Sequence, residues 1–174
     1  MLNSTTLSLT LASGESNTFG NVTVPNENFV HQPASNTTPL VNGTGNGQAN
    51  HSVQILANAS TGGTTIDLTA LTNDGLDGKT RDFSNGGSGG AVKAFVLENL
   101  DPTNTITLTQ PGSNGWTGLS GAGTGLNRAI EPGGHIEFYS PLAGMPVTST
   151  NKQFIITASA GTPQYKLSLA GIAA

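Results

Sequence analysis

The sequence predicts an all-β protein, an antiparallel β-sandwich of jelly-roll type with a long glycine- and asparagine-rich N-terminal loop or arm. Three observations carry that prediction. Short stretches alternate apolar and polar residues with a period of two, as half-buried strands do. Ile106 and Leu108, set between Thr105, Thr107 and Thr109, are the clearest case. Clusters of Gly, Pro, Asn and Asp separate those stretches, and these are the residues that turns require. No stretch combines a capping residue with an apolar stripe of helical period. Nine or ten short strands of this kind favour two packed sheets.

The strands follow in chain order. Thr5 to Leu11 places Leu7, Leu9 and Leu11 on one face and is expected to pair with the sandwich, because three leucines need burial. Ser13-Gly14-Glu15-Ser16 reads as a break, and Phe19 to Val24 as a short second strand. Residues 25–50 develop no period and read as an extended loop or arm of a single domain spanning 1–174. That segment is either a plain surface excursion or an assembly contact, in which case Asn26, Phe29, Leu40 and Val41 are the contact residues. Ser52 to Leu56 and Thr64 to Leu71 are strands, the latter with Ile66, Leu68 and Ala70 inward.

A loop over 72–90 precedes Val92 to Leu100 and Thr105 to Thr109, which read as a hairpin joined by Asp101-Pro102-Thr103-Asn104. Trp116 and Leu119 sit in a glycine-rich connection where a large ring pins loops onto a sheet edge or the end of a sandwich. Arg128 to Ile130 is a short strand. Glu131-Pro132-Gly133-Gly134 is a type II turn that launches His135 to Ser140, with Ile136 and Phe138 on one face. Val147 to Thr150, Gln153 to Ala158 and Tyr165 to Ala170 complete the set.

Charged residues make up 9% of the chain, against roughly 25% in an ordinary soluble domain, so hydroxyls and amides carry its solubility. Such a surface suits extracellular or virion proteins. The net charge of −4 is uneven: every Lys and Arg lies at or after Lys79. The six basic residues are scattered, with no basic patch and no interleaved aromatics, so no nucleic-acid partner is expected. Cysteine is absent, which excludes disulfides, cysteine-ligated zinc and thiol catalysis. The first residues lack a basic n-region and alternate where a signal peptide would be continuously apolar, so neither a signal peptide nor a membrane association is expected.

Several residues invite a chemical reading. Asp74, Asp77 and Asp82 stand among glycines, as calcium ligands can. Asn85 occupies the position where an EF-hand needs a bidentate Glu, and Lys79 and Arg81 intrude, so a turn-rich loop is the preferred reading. His31, His51 and His135 share no ligand spacing. Ser88 lies in a Gly-x-Ser-x-Gly pattern, but a strand follows it where a nucleophile elbow needs a helix. Glu131 and Glu137 are a turn acid and an outward strand acid, a poor match to a glycosidase pair. Trp116 and Tyr139 form a possible glycan platform, set against the plainer reading of rings that cover the core. No catalytic residue, metal site or cofactor is assigned.

From about Thr64 onward the chain resembles small structural proteins of tailed bacteriophages, of the head decoration or cementing type. The pieces that carry the resemblance are Ile66 to Leu71, Val92 to Leu100, Asn104 to Leu108, Ser113 to Trp116, the Ile130 to Gly134 turn and Tyr165 to Gly171. The resemblance implies a β-sandwich at the capsid surface of a virion, bound to the major capsid protein and without enzyme activity. It also implies a closed homo-oligomer, with a trimer favoured. A carbohydrate-binding or adhesin-like module is the alternative that the strand pattern and the few aromatics leave open.

Overall fold

The computed structural model describes residues 12–15, 18–19, 22–23, 27–30, 40–72, 79–120 and 125–173. Its strands are β1 (Ala12–Glu15), β2 (Thr18–Phe19), β3 (Val22–Thr23), β4 (Glu27–Val30), β5 (Val41–Asn42), β6 (Gln48–Ala49), β7 (His51–Asn58), β8 (Thr64–Asp67), β9 (Leu71–Thr72) and β10 (Thr80–Arg81). The second half adds β11 (Gly90–Asn99), β12 (Ile106–Thr109), β13 (Asn127–Ile130), β14 (His135–Tyr139), β15 (Met145–Val147), β16 (Gln153–Ala158) and β17 (Gln164–Ile172).

Two antiparallel sheets make the body. One runs β14-β11-β17-β7, with β15 also pairing β11, and the other runs β13-β12-β16-β8. Read across the two sheets, β14 corresponds to β13, β11 to β12, β17 to β16 and β7 to β8. Each of these pairs is consecutive in the body, so the chain crosses between sheets four times by short arches. That order is the connectivity of an eight-stranded jelly roll, to which β15 is a short addition. The expected fold class is therefore the observed one.

The core lies between the sheets. Val53 and Ile55, Phe95 and Leu97, and Leu167 and Leu169 meet Ile66, Ile106, Leu108, Phe154 and Ile156 from the facing sheet. Each fully buried side chain of this size contributes roughly 1.5–3 kcal/mol. Phe95, Trp116 and Phe154 form an aromatic centre, with ring centroids 5.7–6.2 Å apart. Trp116 reaches it from the connection between β12 and β13. Its indole N–H donates to the Pro146 carbonyl at 3.0 Å, so the ring's one polar atom is satisfied.

Several expectations change. The β11–β12 pair is not a hairpin: the two strands lie in different sheets. The turn chemistry is as expected, with the Asp101 carboxylate accepting from the Thr103 and Asn104 N–H groups at 2.9 and 2.6 Å. What redirects the chain is Asn99, at the end of β11 and 1% exposed. Its amide donates to the carbonyls of Asn104, Ile130 and Glu131 at 2.8–3.2 Å. This ties the arch to the neighbouring crossing at Glu131–Gly134, a type II turn as predicted, with Gly133 at φ 72°.

The strand expected over 64–71 ends at Asp67, whose carboxylate accepts from both the N–H and the hydroxyl of Thr69 and so turns the chain. Ala70, expected inward, is exposed. The strand expected at 147–150 lies instead at Met145–Val147, because Thr148 and Asn151 close a turn. Ser13 to Glu15, read as a break, belong to β1, which pairs antiparallel with β4. In place of one strand over 19–24, β2 and β3 pair with each other. The Thr5 to Leu11 strand lies outside the described residues.

Candidate functional site

The sheet registers define three rows across the outer face of the five-stranded sheet. Tyr139, Ala94, Ala170 and Ser52 form the first; Glu137, Val96, Ser168 and Gln54 the second; His135, Glu98, Lys166 and Leu56 the third. Cross-strand neighbours pair where their chemistry allows, and Lys166 Nζ lies 2.8 Å from the Glu98 carboxylate. The middle of the first row, Ala94 and Ala170, is covered by the segment 40–50. Leu40 and Ala49 pack on Ala94 and Ala170, forming a second small core outside the sandwich.

Lys93 holds that cover in place. Val92 pairs with Gly171 while Ala94 pairs with Ala170, so Lys93 is the extra residue of a bulge. A Cβ on Gly171 would collide with the Ala91 carbonyl, which is why a glycine stands opposite the bulge. The bulge releases Lys93 from strict alternation, and its side chain reaches the covering segment. Lys93 is 1% exposed. Its ammonium donates to the carbonyls of Gly45 at 2.6 Å, Leu142 at 2.7 Å and Pro141 at 3.4 Å. Three donors meet three acceptors, all of them backbone. Burial pushes the Lys93 pKa below the usual lysine value. Gly47 N–H also donates to the Pro141 carbonyl at 2.8 Å, so 40–50 and the loop after β14 form one clamped unit.

Residues 40–50 of the segment that the sequence presents as an arm are thus held against the sheet. Leu40, an expected assembly contact, is buried within the chain itself at 6% exposure. Val41 points out and is 48% exposed. Asn26 lies outside the described residues, and Phe29 is placed only as a backbone position of β4. Lys93 is not among the residues that the sequence singles out, although a lysine inside the run Val92 to Leu97 is the available signal.

The remaining candidates separate. Asp74 and Asp77 lie outside the described residues. Asp82 is engaged in its own turn, accepting from the N–H and hydroxyl of Ser84 at 2.8 and 2.6 Å and from Gly86 N–H at 3.1 Å. Among the described residues, no group of three His, Cys, Asp or Glu is placed to hold a metal ion. His51 and His135 stand on opposite edges of the five-stranded sheet, and His31 lies outside the described residues. Glu131 sits on an arch, where it accepts from the Thr105 hydroxyl at 3.3 Å, while Glu137 projects from the outer face. Ser88 lies in an exposed glycine tract before β11.

Trp116 and Tyr139 do not form a common platform. Trp116 is 0% exposed, so it has no face for a sugar, whereas Tyr139 is 41% exposed on the outer face. Phe138, the next residue of β14, points to the other face of the strand and is 42% exposed, and Leu142 in the loop after β14 is 65% exposed. Among the described residues, no helix is long and apolar enough to cross a membrane.

The four-stranded sheet offers a different outer face. Thr65, Thr107, Thr109 and Thr157 line it around Ile155, and the Asp67–Lys152 ion pair lies at its end. Burial of Asp67 raises its pKa, but hydrogen bonds from the Thr69 side chain and backbone, Gln153 and Lys152 outweigh that and bring it to about 2.

Comparison with known proteins gives no match to any family model, to any curated protein or to any solved structure.

Proposed function

We propose that this chain is a non-enzymatic virion structural protein, a capsid decoration or cementing protein that binds a major capsid protein at the particle surface. The observation that carries the reading is the jelly roll itself, with the outer face of its four-stranded sheet built from threonines around Ile155. This architecture recurs in viral capsid and lectin domains, so the step from fold to role is one of analogy. The composition supports it, because a surface with few charges keeps its contacts over a wide range of salt.

The protein works on this reading as a homo-oligomer whose repeated weak contacts add up on a symmetric shell. A three-fold order rests on the resemblance to phage decoration proteins alone. The test is mass spectrometry of purified particles. The chain is expected at a fixed stoichiometry to the major capsid protein, and its absence from intact virions overturns the proposal.

A further inference from the structure

All but one of the basic residues have a partner. Lys93 holds the roof, and Lys152 and Lys166 pair with Asp67 and Glu98. Lys79 and Arg81 each make contacts of their own. Arg128, in the middle of β13, makes no hydrogen bond or ion pair among the described residues, and it is exposed.

Its strand is an outer one, for β13 pairs with β12 alone. Gln110 N–H donates to the Leu126 carbonyl, so Leu126, Arg128 and Ile130 turn their backbone groups to β12. By alternation Asn127 and Ala129 turn N–H and C=O to the outer side, and both residues are exposed. Among the described residues, no strand pairs with that edge. Arg128 stands opposite Leu108 in the ladder, so it shares the core-facing side of β13 with Leu126 and Ile130, both buried. The corresponding outer strand of the other sheet is β14, whose core-side Phe138, opposite Phe95, is 42% exposed. The rim of the core is therefore open here, and a cation is set in it.

We propose that the β13 edge takes up a further strand, an extended segment of a partner protein, with a carboxylate opposite Arg128 and apolar side chains two residues to either side. Paired antiparallel, that segment meets the outward N–H and C=O groups of Asn127 and Ala129, which supply the ladder. Arg128 then lies at a non-hydrogen-bonded position, where opposing side chains approach most closely. A carboxylate there is attracted and a lysine is repelled. The flanking side chains fall opposite Leu126 and Ile130 and continue the apolar rim on the side of Phe138. An inward charge on an edge strand also guards against unwanted pairing. The two roles agree, because the guanidinium refuses strands without an acid and selects one that has it. A second copy of β13 has no acid to offer, and pairing about Arg128 sets guanidinium on guanidinium. This inference does not depend on the capsid reading.

The probe is a capped peptide, Thr-Val-Thr-Glu-Thr-Val-Thr, titrated into isotope-labelled protein and followed by amide chemical shifts and hydrogen exchange. A dissociation constant of about 1 mM or below is expected, with slowed exchange at Asn127 and Ala129. The same peptide with lysine for glutamate is expected to bind at least about fivefold more weakly. Arg128→Glu, with circular dichroism reporting an unchanged fold, should reverse the order of the two peptides. No response at β13 up to about 5 mM peptide, equal affinity for the two peptides, or an order that Arg128→Glu leaves unchanged overturns the proposal. Sedimentation of the protein alone tests the rival occupant. Its mass is expected to be the same in wild type and Arg128→Glu, and self-association that the variant abolishes would assign the edge to a second copy and overturn the partner assignment.

Discussion

The two sheets differ most on the sides they turn away from each other. The five-stranded sheet has Ala94 and Ala170 of its first outer row roofed by residues 40–50, and its central strand β11 is buried along almost its whole length. The four-stranded sheet is open: β12 and β16 alternate buried and half-buried residues, with threonines outward. One face is closed by a clamp around a buried lysine; on the other, the described residues place mainly threonine hydroxyls. The difference teaches that a jelly roll of this size builds a second, small core from a segment outside the eight strands. Substitutions at equivalent register positions should then have unequal costs.

The largest effect is expected at Lys93. Lys93→Ala removes the ammonium from three carbonyls and leaves the space of its stem, so a loss of about 3 kcal/mol is expected in urea unfolding. Lys93→Met keeps the stem and should cost less. The clamp also has a pH signature. The folded-state pKa lies below the unfolded value, so the folded form binds fewer protons between the two, and stability rises with pH across that window. The stability gap between wild type and Lys93→Met should accordingly change as pH is raised from neutral towards about 10.5, and a gap independent of pH would contradict the assignment.

Asn99→Ala, at the junction of the two sheets, comes next. It strands the carbonyls of Ile130 and Glu131 at an arch, and about 2 kcal/mol is expected from thermal melts. On the open sheet Asp67→Asn should matter only through charge and hydrogen bonding. The Asp67 pKa is depressed to about 2, so its contribution is present above the unfolded carboxylate range and lost as pH falls through about 2. Roughly 1 kcal/mol, after allowance for partial exposure, should separate wild type from Asp67→Asn at pH 7 and vanish in strong acid. Thr107→Val, in the middle of the open face, is the smallest change, expected within about 0.5 kcal/mol of wild type by the same melts.

How far the sequence reveals this molecule follows the same divide. The open sheet was legible because alternation marks one wet face and one dry face: Ile106, Leu108, Phe154 and Ile156 are inward as the pattern requires. On β11 alternation fails, because a strand covered on both faces reads as a continuous apolar run. That run and a good turn after it suggested a hairpin, and only the Asn99 side chain, bonded to carbonyls more than thirty residues away, reveals an arch between sheets. The roof over 40–50 was illegible for a related reason. Its hold on the sheet is backbone carbonyls around Lys93 and the doubly bonded Asn50 side chain at Ala173, and neither leaves a periodic trace. Trp116 was expected to pin loops onto a sheet edge or the end of the sandwich, and its burial in the aromatic centre of the core, which removes it as a sugar platform, required the geometry.

The closed face rests on the clamp, and amide hydrogen exchange tests it directly. Val41, Gly43 and Gly47 donate to Gly47, Ala49 and Pro141 within the roof, and their protection should depend on Lys93. In Lys93→Met these three amides are expected to exchange at least about tenfold faster than in wild type, while the amides of β12 and β16 are unchanged, since local opening exposes only the bonds it breaks. Equal protection of the roof amides in both proteins would show that the segment is held without the lysine and would contradict the account.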